Sequence, residues 1–171
     1  NPDDNLLRRV ATWLGGPACS MYDAPVPTSA GLPRALALLT IGDVDGAVES
    51  AASGGYLRLA LLIARAAESD KDALRADALS QLEAYGLFTD GIPNPGLLDE
   101  KIGDPNGDVF HDASITTLLS VNERVILCLL AGFISPVAQY LQPSWYRVFA
   151  MELLYGAGSS NQSSPERISL A

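Results

Sequence analysis

Histidine occurs once in this 171-residue chain, and cysteine and methionine twice each. The lone His111 cannot build a multi-histidine zinc site, no cysteine stands near it, and no Ser/His/Asp motif surrounds it. It reads as a surface or capping residue. Cys19 and Cys128 are far apart and sit among mostly apolar neighbours, which points to reduced structural thiols and suits the cytosol or nucleus. The chain also lacks a long hydrophobic run: its longest, VILCLLAGFI from Val125, has about ten residues against the ~20 that span a bilayer. That run is a buried helix, and direct membrane insertion is excluded. Positive charge is scarce too, with 11 Lys and Arg against 20 Asp and Glu and a formal net charge of −9. With the basic residues scattered and a pI near 4.4, a phosphate backbone or anionic membrane would be repelled, so nucleic acid is excluded as a partner. No signal peptide is visible and no initiator Met opens the chain, which reads as a piece of a longer protein.

What is present is apolar and helix-forming. Hydrophobic residues make up 48% of the chain, enough to bury the core of one domain. Leu and Ala far outnumber the β-branched Val and Ile, and the former lose less side-chain freedom in a helix. Apolar positions recur at three and four in DDNLLRRVATWL, in Leu32 to Ile41, and after Asp43, where Val44, Ala47, Val48 and Ala51 form a stripe. Tyr56 to Ala67 is apolar almost throughout, which predicts a central helix buried on most sides. Ser69 with Asp72 reads as a capping pair for a helix facing inward through Leu74, Ala78, Leu82 and Tyr85. SVNE at 120–123 is a capping box before the Val125 run, Ser135 with Pro136 opens another helix, and WYRVFAMELLY follows with Trp145, Val148 and Phe149 on adjoining turns. Trp13 and Trp145 read as core, so Trp145→Ala is expected to cost roughly 3 to 5 kcal/mol. The Pro- and Gly-rich stretches at 15–33 and 86–112 read as loops, the second with a short helix near Leu97. About eight helices and no strand are predicted, in one helical domain or part of one over 1–156. Residues 157–171 read as a flexible tail or linker.

Two stretches carry a hint of chemistry. In LALLTIGDVDGAVES, Asp43 and Asp45 have the Asp-x-Asp spacing of haloacid dehalogenase-type phosphatases, and GDPNGD at 103–108 matches their Mg²⁺-holding spacing. That chemistry needs Asp43 at the carboxyl end of a parallel strand. Residues on both sides of Asp43 instead repeat with helical period, Ala47 replaces the usual Thr, and neither Lys71 nor Lys101 follows a strand-like run. Asp43 is therefore a helix cap and Asp45 favourable first-turn charge, with Gly42 ending the preceding helix. GDPNGD also places Asp104, Asn106 and Asp108 at the first, third and fifth positions of a calcium loop, but Val109 and Ile115 stand where Gly and Glu are required. It reads as a solvated turn. No catalytic residue, cofactor or metal ligand is assigned.

GDVDGAVESAASGGYLRLALLIARA resembles the helix pair of the nucleoporin 96 family, which includes the C-terminal half of the yeast nucleoporin 145 precursor. RRVATWL, RVILCLLAGFIS and SWYRVFAMELLYG are similar, in order, to that family's Arg-rich helix ending in Trp-Leu, its Arg-x-x-x-x-Leu-Leu-Ala-Gly helix and its Trp-x-Arg helix. The resemblance runs through most of residues 5 to 156. It implies an all-α fold of antiparallel hairpins in an irregular α-solenoid, the ancestral coatomer element, with the chain folding back on itself. It also implies a structural scaffold in the outer-ring Y-shaped complex of the nuclear pore, at the nuclear envelope. Other helical nucleoporins are the implied partners, and the coat-type β-propeller is contacted through sequence outside this chain, since no β-rich blade segment is present. A vesicle-coat scaffold of the COPII outer-cage type shares the ancestry and is the alternative. If the chain assembles with others, apolar strips should remain on its surface.

Overall fold

The computed structural model describes residues 6, 9–10, 13–14, 24–68, 70–89, 92–94, 97–98 and 119–156. Three expectations lie wholly outside them: His111, the GDPNGD turn and the 157–171 tail. Cys19 lies outside them as well.

Pro33 sits in the first turn of α1 (Leu32–Thr40), where a missing N–H costs nothing, and Ala35, Leu36, Leu38 and Leu39 are buried. Gly42, at φ 80°, turns the chain. Asp43 then caps α2 (Val44–Ser53), its carboxylate accepting the Gly46 N–H at 3.0 Å. Asp43 therefore starts a helix, as its sequence context predicts. After Gly54 and Gly55 comes α3 (Leu57–Ala64), continued by a 3₁₀ turn at Arg65–Ala67. α4 (Lys71–Ala84) is capped by Asp70, which accepts from the Ala73 N–H, so the cap falls one residue beyond the expected Ser69, with Asp72 as first-turn charge.

Two small strands correct the expectation of none. β1 (Phe88–Thr89) pairs antiparallel with β2 (Ile92–Pro93), with Phe88 opposite Pro93 and Thr89 opposite Ile92. The stretch read as a loop also feeds the core: Leu87, Phe88 and Leu97 are buried, and Phe88 stacks on Phe133 at 4.6 Å between ring centroids. Hydrophobic side chains spaced too irregularly to show a period are enough to hold it there.

The capping box forms as read. The Ser120 hydroxyl accepts from the Glu123 N–H and the Glu123 carboxylate accepts from the Ser120 N–H, opening α5 (Val121–Leu130). α6 (Ile134–Leu141) starts one residue before Ser135, with Phe133 at the cap. Gly132, at φ 87°, makes the turn early and leaves Ser135 and Pro136 inside the first turn. α7 (Trp145–Tyr155) ends the described chain.

The central helix is α5, not α3. Residues 124–130 are all buried, and α5 packs against α1, α4, α6 and α7. Seven consecutive buried residues, from Arg124 to Leu130, leave that part of α5 no face turned to water. α1 meets α5 and α7 across most of the chain's length, so the chain folds back on itself within an all-α arrangement.

Candidate interaction surface

The hairpin of α1 and α2 holds α3 in position. Ser50, buried on α2, accepts the Gly31 N–H at 3.1 Å and donates to the Gly31 carbonyl at 3.0 Å. A Cβ at Gly54 would fall 2.9 Å from the Gly31 Cα, so only glycine allows this approach. α3 then lies against α2 on one side. On the other, Arg65 pairs with Asp77 and Arg58 reaches the Tyr85 hydroxyl at 3.5 Å, which sets α3 antiparallel to α4. Its inward face is Leu59, Ala60, Leu62 and Ile63. Leu57 and Leu61, one turn apart, are 65% and 72% exposed. The expectation of a helix buried on most sides therefore fails for this face, because flanking helices cover only the other.

α7 is turned the opposite way from expectation. Arg147, Ala150, Met151 and Tyr155 face inward, while Trp145 and Phe149 are exposed at 66% and 49%. Trp13 is also exposed, at 71%. Both tryptophans are therefore surface residues, and the core reading fails for each. The reason is that α7 is apolar nearly all round, so its period does not select a face. The inward face carries small Ala150 and flexible Met151, together with polar tips that find partners. Tyr155 donates its hydroxyl to the Leu39 carbonyl at 3.0 Å, and Arg147 donates to the Thr40 hydroxyl at 3.4 Å. On a further side, Ala150 and Leu14 form a small separate cluster with Val10, Tyr146, Leu153 and Leu154 packed on it.

Reactive chemistry has little to work with among the described residues. Asp43 is committed to its cap, and no group of three or more His, Cys, Asp and Glu comes together there as a metal site. Burial pushes the Cys128 thiol from 9.0 up to about 12, with the Arg124 charge pulling weakly the other way. It stays protonated at neutral pH and packs within the hydrophobic core. An open cleft of about 400 Å³ lies between the 24–27 segment, α1 and the α6–α7 corner, with Leu36, Thr40, Tyr140 and Arg147 on its walls. No helix among the described residues is long and apolar enough to cross a membrane.

What the geometry offers is a set of exposed apolar side chains on rigid helices: Leu57 and Leu61 on α3, and Trp145 and Phe149 on α7. Large aromatic and aliphatic residues held in this way are the usual anchors of protein–protein contacts. Residues 33–87 match the family described as Nuclear protein 96. The matched segment spans α1 to α4, about a third of the chain, and includes the α3 stripe; the helices of the 120–156 region lie outside it. No curated protein and no solved structure matches the chain.

Proposed function

We propose that the chain, whose residues 33–87 match the Nuclear protein 96 family, is a structural component of the nuclear pore at the nuclear envelope, a scaffold piece contributing helical interfaces to the outer-ring Y-shaped complex. The single observation that carries the proposal is the Leu57–Leu61 stripe, apolar and solvent-facing within the family-matched segment. Two leucines gain nothing by facing water on a helix that already buries its other side. Removing such area from water yields about 25 cal/mol per Å², so the stripe favours a partner. The partners are other helical nucleoporins, and the coat-type β-propeller is bound through sequence outside these residues. Within the whole protein, the hairpins described here form one stretch of an irregular α-solenoid.

The test uses the full-length protein with Leu57→Glu and Leu61→Glu together. Because both side chains are exposed, the variant keeps its helical circular dichroism and melts close to the parent. Capture of helical Y-complex nucleoporins falls at least tenfold. Unchanged capture would remove the stripe from the interface. A fluorescent tag on the parent protein gives a punctate nuclear rim; signal at secretory exit sites would instead favour the coat scaffold.

A further inference from the structure

α7 is attached differently from every other helix in the core. It enters through Gln142, the only non-glycine residue among those described with positive φ (47°), followed by Pro143. A left-handed residue that is not glycine carries strain, and proline has no N–H with which to brace the joint. Beside the joint lies the 400 Å³ cleft, which Gln142 and Pro143 line together with Thr40 of α1, and across it Arg147 in the first turn of α7 donates to the Thr40 hydroxyl at 3.4 Å. Next to the hinge, α7 is thus held to α1 by a long hydrogen bond beside an unfilled space, which forfeits dispersion contacts.

The far end is held by directional polar contacts. Arg75 of α4 donates to the Tyr155 carbonyl at 3.0 Å and to the Gly156 carbonyl, satisfying groups that a helix C-terminus leaves without an intrahelical partner. Tyr155 donates to the Leu39 carbonyl of α1, also at 3.0 Å. Of the inward residues, Met151 and Tyr155 join the main core, whereas Ala150 belongs to the separate cluster with Leu14. α5, by contrast, sits among apolar side chains all round.

We propose that α7 is a latched arm, hinged at Gln142–Pro143 and fastened by Arg75 and Tyr155, which opens as one unit while the helices from α1 to α5 stay folded. Val10 and Leu14 travel with it, since they pack on α7 itself. Opening uncovers the α1 and α5 surface beneath Met151 and Tyr155, a second apolar face that the closed form hides. Hydrogen bonds give this kind of control because they are lost over a short displacement, whereas apolar burial fades gradually. The proposal does not depend on the nuclear-pore reading.

Native-state hydrogen exchange of the intact 171-residue chain, followed by mass spectrometry at low denaturant, tests it. Amides of residues 151–155 exchange together through a common opening, at least tenfold faster than those of 126–130. Arg75→Ala speeds the 151–155 group by about tenfold or more, leaving 126–130 unchanged; Tyr155→Phe acts on the same group in the same direction. Equal exchange of the two groups in the parent chain would overturn the latch, whatever the variants do. So would an equal acceleration of both groups by Arg75→Ala.

Discussion

α5 and α7 are nearly the same length and similarly apolar, yet one is enclosed and the other keeps Trp145 and Phe149 in water. The difference lies in what surrounds them. α5 has helices on all sides, so each of residues 124–130 finds a dry neighbour, including Arg124, whose guanidinium donates to the Leu97 carbonyl at 3.0 Å. α7 lies at the margin and buries only as much as α1, α5 and α6 can cover. Hydrophobicity thus measures what a helix can bury; position decides what it does bury.

Four substitutions sharpen or break this contrast, each read as a change in unfolding free energy by chemical denaturation. Leu129→Ala, in the fully enclosed face of α5, has the largest effect, about 2 to 5 kcal/mol, because the cavity it leaves has no route to collapse. Tyr155→Phe on α7 follows, at about 1 to 3 kcal/mol, since it removes the hydroxyl that the buried Leu39 carbonyl accepts from. Ser120→Ala removes the capping box of α5 and costs about 0.5 to 2 kcal/mol. Trp145→Ala costs least, under about 1 kcal/mol, as expected for an exposed side chain. A loss from Trp145→Ala as large as that from Leu129→Ala would mean that α7 is as enclosed as α5.

The helices and their ends were legible because their causes are local. Asp43, Ser120 and Gly42 act on amides and carbonyls within a turn of themselves, and such short-range chemistry leaves a signature in neighbouring letters. The Ser69 reading missed by one residue for the same reason: Asp70 offers a carboxylate acceptor one step after the Ser69 hydroxyl, and both are good caps. Leu87, Phe88 and Leu97 were hidden because a loop buries side chains at whatever spacing its path requires. The candidate surface was half legible. Tyr56 to Ala67 was legible as an apolar helix, but the exposure of Leu57 and Leu61 was not; Trp145 and Trp13 were assigned to the wrong environment altogether.

Apolar residues recurring at three and four, helix caps and glycine breaks by themselves determined that the chain is all-α, where most helices begin and end, and that Asp43 caps a helix. Only tertiary structure decided that α5 occupies the centre, that α3 presents Leu57 and Leu61 outward, and that α7 turns its tryptophan away from the core. A helix's period comes from its own backbone geometry, whereas the side that meets water is set by where helices distant in sequence come to rest against it.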